Sequence, residues 1–169
     1  MKKLLITTLL LALAIFQNAS ANPDGEPQVE IFDISQTVLK MSLKKGISPQ
    51  DAVSIMLSKA AELNMKMVGH LPVSDELKAR GLNHNHLEVY QFCNPEDAIK
   101  MVEFNPIYAA YMPCRIALVQ DKKGVYWLLT LNLDMLISKV QLPDDLRTIA
   151  ITINAQMIEI MTAAATGEF

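Results

Sequence analysis

Five side chains in this sequence have the types and spacing to do chemistry: His84, His86, Cys93, Met112 and Cys114. Imidazole, thiol and thioether groups bind soft or borderline metals, and a thiol can also form a disulfide or act as a nucleophile. Residues 83–95 read NHNHLEVYQFCNP and hold two of the three histidines and one of the two cysteines. A single metal site there fails on reach. An extended chain rises about 3.3 Å per residue, which separates His86 from Cys93 by roughly 23 Å. Zinc or copper holds its ligands within about 2.0–2.3 Å. The two ends of the stretch are therefore separate candidates.

His84 and His86 put two imidazoles on one face of a strand mouth, a spacing that metal sites use, and so form an alternative metal pair. Asn83 and Asn85 beside them have the character of solvated turn residues, which favours surface histidines. His70 stands alone in the preceding strand and reads as a satisfied, half-buried side chain.

Cys93 directly precedes Asn94-Pro95, the start of a predicted helix, whose amides and dipole would favour a thiolate. Cys114 follows Pro113 and precedes Arg115, a second positive field. Antiparallel pairing of the strands that end at Cys93 and begin at Cys114 would make the sulfurs neighbours. Three readings follow: a structural disulfide, closing a loop worth roughly 3 kcal/mol; a redox-labile or thiol-reactive pair; or a copper or zinc site with Met112 as third ligand. Asn94, Pro95, Pro113 and Arg115 support each of them.

Several elements must position these groups. From Val29 the pattern is strand-like, and Leu39, Met41 and Leu43 alternate with Lys40, Ser42 and Lys44, the period of a strand. SPQDAVSIMLSKAAELN then predicts a helix, with Ser48 as cap, Pro49 at its first position and an apolar stripe of Ala52, Met56, Ala60 and Leu63. Strands are predicted over 65–73, 86–92 and on both sides of Lys122-Lys123-Gly124. Short helical segments fall at 74–81 and 94–104. A long helix opens at Pro143, with Leu146, Ile149, Ile153, Met157, Ile160 and Ala164 at helical spacing. This order predicts an α+β fold, an antiparallel sheet with helices on one face. Ile151, Ala155 and Ile158 lie outside the last helix's main stripe and suggest a homodimer contact.

Upstream, Lys2-Lys3, an apolar run from Leu4 to Phe16 and Ala19-Ser20-Ala21 have the order of a secretory signal peptide over 1–21. Residues 22–28, NPDGEPQ, read as a flexible linker, leaving 29–169 as one domain. The expected location is periplasmic or secreted, with no membrane span after the leader. A formal charge of −3 without a basic cluster argues against nucleic acid. Ten methionines suggest copper handling, but Met56, Met157 and Met161 fall on helix stripes where packing explains them.

The run from Cys93 to Trp127 resembles the DUF302 family, also called TT1751-like. The matching residues are Cys93-Asn94-Pro95, Pro106, Met112-Pro113-Cys114, and Asp121 with Gly124 in a hairpin turn. Met112 stands where the pattern has leucine, and Arg115 where it often has asparagine. The resemblance covers about residues 35–140 and implies a β-α-β(4)-α sandwich in which the cysteines are a paired feature. It implies no reaction, because the family's function is unknown. The expected role is a binding or accessory module with a paired-cysteine site. The alternatives are an interaction protein stiffened by a disulfide, or a copper- or zinc-binding exported protein. No nucleophile–base–orienter set argues for an enzyme.

Overall fold

The structure is a computed structural model that describes residues 34–168. The predicted leader and linker lie outside the described residues. A five-stranded antiparallel sheet has the order β1-β5-β4-β3-β2. Its strands are β1 (Val38–Ser42), β2 (Lys66–Leu71), β3 (Leu87–Cys93), β4 (Cys114–Gln120) and β5 (Tyr126–Leu131). The helices are α1 (Pro49–Glu62), α2 (Val73–Ala79), α3 (Pro95–Phe104), α4 (Leu133–Lys139) and α5 (Asp144–Thr166), with a 3-10 turn over Pro106–Tyr111. The α+β fold and the one-sided helical layer agree with the sequence pattern.

Local chemistry explains the boundaries. Ser48 accepts a hydrogen bond from the Asp51 amide at 3.0 Å and opens α1. Asn64, in the left-handed region at φ 57°, ends it. Between β4 and β5, the Asp121 carboxylate accepts from the amides of Lys123 and Val125 and from Trp127 Nε1. At Gly69, beside the irregular pairing of β2 with β3, the absence of a Cβ leaves room for the Gln91 side-chain amide, which a larger residue would push aside.

Alternation then sorts the sheet. Phe92, Ile116, Leu118 and Leu128 face the helices and are fully buried with Met56, Met157, Ile160 and Met161. On the opposite face Val89, Ala117 and Leu129 form a half-buried row between β3 and β5. Although α5 has the length and apolarity of a membrane-crossing helix, contrary to the expectation that nothing after the leader does, its apolar stripe packs into the core. Ile151 (52 % exposed) and Ala155 remain on its outer side. α4 was not predicted. Asn132 caps it, accepting from the Met135 amide, and Asp134 on α4 accepts from the buried Asn154 of α5 at 2.8 Å.

Candidate functional site

At one end of the helix-covered face, β3 runs into α3 and the 3-10 turn leads into β4. The sequence places thiols on both of these junctions. A cavity of about 110 Å³ opens there, bordered by Cys93, Cys114, Met65, Met101 and Met112, with Tyr108 and Ile137 opposite. No charged side chain lines it. A second cavity of about 200 Å³ abuts it and also has a charge-free lining.

Cys93 and Cys114 are free thiols, which overturns the expected disulfide. The register gives the reason. Phe92 stands opposite Cys114, while Cys93 lies one residue further along and pairs with Lys66 of β2. Side chains alternate across a sheet, so two residues offset by one point to opposite sides of the pleat. Antiparallel pairing was predicted correctly, but it brings the cysteines to one cavity rather than to bonding partners.

The expected thiolate is also corrected. Asn94 Oδ1 accepts from the amides of Glu96 and Asp97 at 3.1 and 3.4 Å, so the first amides of α3 serve the cap rather than the sulfur. Burial raises the Cys93 thiol pKa above its ordinary value. Burial, with a smaller push from Cys93, raises Cys114 to about 11 against a weaker pull from Arg115. Arg115 itself is exposed. Pro95 fills the first position of α3, and Pro113 follows a cis peptide bond beside the cavity. Both thiols are neutral at physiological pH.

The other end of the same face is polar. His86, Glu88 and Tyr90 alternate along β3 and share a face, and His70 stands opposite Tyr90 on β2. Glu88 gathers them. His70 Nε2 lies 2.9 Å from one carboxylate oxygen, which also accepts from the Tyr90 hydroxyl, and His86 Nε2 lies 3.3 Å from the other. That His86 contact is close enough for an ion pair but misaligned for a hydrogen bond, which leaves buried Nε2 without a hydrogen-bond partner. His70 stacks on Tyr90 at 4.5 Å, and Tyr126 meets the His86 ring edge-on at 5.6 Å. Burial would raise the Glu88 pKa, but the hydrogen bonds from Tyr90 and His70 and the charges of both histidines together hold it below the ordinary carboxylate value. Burial, then the bond to Glu88, raises the Tyr90 pKa.

His84 borders the same open cavity as His86, but its ring nitrogens are engaged elsewhere. Nδ1 lies 2.7 Å from the Asn85 carbonyl oxygen and Nε2 3.1 Å from that of Ser74, so both ring nitrogens face backbone acceptors rather than a ligand shared with His86. Among the described residues, no set of three or more His, Cys, Asp or Glu side chains is arranged to hold a metal ion. The Glu88 cluster was missed in the sequence, although the spacing His86-x-Glu88-x-Tyr90 was visible as the alternation of one strand face.

The family model for "Domain of unknown function DUF302" matches residues 22–164, and the chain belongs to that family. A solved structure of an uncharacterised conserved DUF302 protein from Bacillus stearothermophilus is similar, with a TM-score of 0.62 at 16% identity. The match covers 76% of this chain and 98% of that one. At that identity the likeness establishes the fold alone. No curated protein matches this chain.

Proposed function

We propose that this chain is an exported binding module whose ligand site is the cavity walled by Cys93 and Cys114. One observation carries the reading: thiols from two strands border a single concave space with no charged side chain. A dry, uncharged wall favours apolar ligands, because a buried charge would need a partner that the wall lacks. The neutral thiols then act as soft contact surface rather than as nucleophiles. Export rests on the charged, apolar and small-residue order of residues 1–21.

The apolar fluorophore N-phenylnaphthylamine is the direct probe. It should bind saturably, slow the alkylation of Cys114 by a neutral maleimide, and lose affinity at least tenfold in Ala98→Trp, which fills the cavity from α3. Saturable binding with unchanged alkylation would place the ligand elsewhere. A folded Ala98→Trp with full affinity would do the same.

A second reading is supported by sulfur content, since Met65, Met101 and Met112 join both cysteines around the space. In this reading Cu(I) or zinc would displace a proton from each thiol, and Met112 would add a neutral ligand. Native mass spectrometry after Cu(I) or zinc loading tests it. An added metal mass that disappears in Cys93→Ser/Cys114→Ser supports this reading, and no uptake removes it.

A further inference from the structure

The second cavity is the feature that this reading leaves unused. It shares Met101, Tyr108, Tyr111, Ile137 and Ala150 with the first, so the two adjoin along a common wall. Its outer walls are Ile107, Leu136 and Val140. Neither lining carries a charge along its whole length. The outer rim is unusually apolar for a surface, with Ile107 61 % and Tyr111 46 % exposed.

Two adjoining charge-free spaces give a longer apolar enclosure than either alone, which suits a long, thin ligand better than a compact one. A carboxylate could not enter either space without a partner. The structure offers one beside the outer wall. Arg147 Nη2 donates to the Val140 carbonyl at 3.2 Å, which holds a half-buried guanidinium beside Val140 of the second cavity's wall, although Arg147 itself lines neither space. A guanidinium has further N–H donors, and these would serve an anionic head while the apolar tail lies inward.

From this placement we infer that the ligand is an unbranched aliphatic carboxylate, its head near Arg147 and its chain running through the second cavity toward Cys93 and Cys114. This inference rests on the thiol-walled cavity being the ligand site. Met101, unbranched and flexible, is the side chain best able to move aside where the two spaces meet.

Displacement of N-phenylnaphthylamine by hexanoate, octanoate, decanoate and dodecanoate tests the chain, with indole as a compact control. Affinity should rise with length by up to about fourfold per methylene until the space is filled. Leu136→Trp, which narrows only the second cavity, should shift the best ligand to a shorter acid and leave indole unchanged. Arg147→Gln should weaken the acids several-fold relative to the matching alcohols. The length series on the unaltered protein stands independently of whether either variant folds. Indole displacing the probe while affinity stays flat with chain length would overturn this inference and keep the cavity reading. Failure of the probe itself to bind would remove both.

Discussion

The two ends of β3 belong to one sheet but lie under different helices: α1 meets Glu88 and Tyr90, whereas α3, α4 and α5 surround the cavity at Cys93. One end is apolar and the other is wired with hydrogen bonds. At the thiol end, burial acts on Cys93 and Cys114 with little to oppose it, and both pKa values rise. At the histidine end, burial acts on Glu88 as well, but Tyr90 and His70 supply donors and the balance reverses. Desolvation is common to both ends. The difference lies in which groups reach each site: Tyr90 and His70 bond to Glu88, whereas the cavity wall around Cys93 and Cys114 carries no charged side chain. A wall of neutral groups suits an apolar ligand, and a hydrogen-bonded network holds its own side chains in place.

The strongest way to break this comparison is Phe92→Ala. Phe92 is fully buried between the two ends, and truncation should cost roughly 3–5 kcal/mol in urea denaturation. A loss under about 1 kcal/mol would mean that the ends do not share a core.

Alkaline pH tests the apolar end. Cys114 titrates near 11 when folded and near 9.0 when exposed, so its contribution is complete below pH 9.0 and is lost as pH climbs toward 11. The loss should be roughly 2 kcal/mol, read as the excess pH sensitivity of the unaltered protein over Cys114→Ala. Parallel stability curves for the two proteins would show that the thiol is not desolvated.

The smallest effect belongs to Glu88→Gln, which keeps an acceptor for Tyr90 but removes the charge. It should cost about 1–2 kcal/mol near neutrality. Because the folded pKa of Glu88 lies below its ordinary 4.5, its advantage is present above that value and fades as pH falls through the folded pKa. A difference that persists unchanged well into acid would assign the cost to packing instead.

Much of the fold was legible because its signals are local. Ser48-Pro49 and Asn94-Pro95 announce α1 and α3, and both caps form as their side-chain chemistry requires. Period-two alternation located β2 to β5 to within about two residues, but the strand-like pattern read from Val29 takes in Ile34–Thr37, which form a 3-10 turn ahead of β1. α4 was harder to see, being short and following β5 after a single residue, although Asn132 and Asp134 marked its start. The site was less legible. Cys93 and Cys114 were found by type, but their relation turns on a one-residue register that neither strand encodes alone. His86 was judged from its asparagine neighbours, while the residues that engage it, Glu88 and Tyr126, lie two positions along and on another strand.

The sequence by itself determined where helices begin, which strand faces are apolar and which family the chain resembles, because caps and periodicity act over a few neighbouring residues. Tertiary structure decided that the thiols are neutral and unbonded, that Glu88 joins two histidines and a tyrosine, and that two charge-free cavities adjoin. Each of these depends on desolvation or cross-strand register, which exist only once distant segments have packed together.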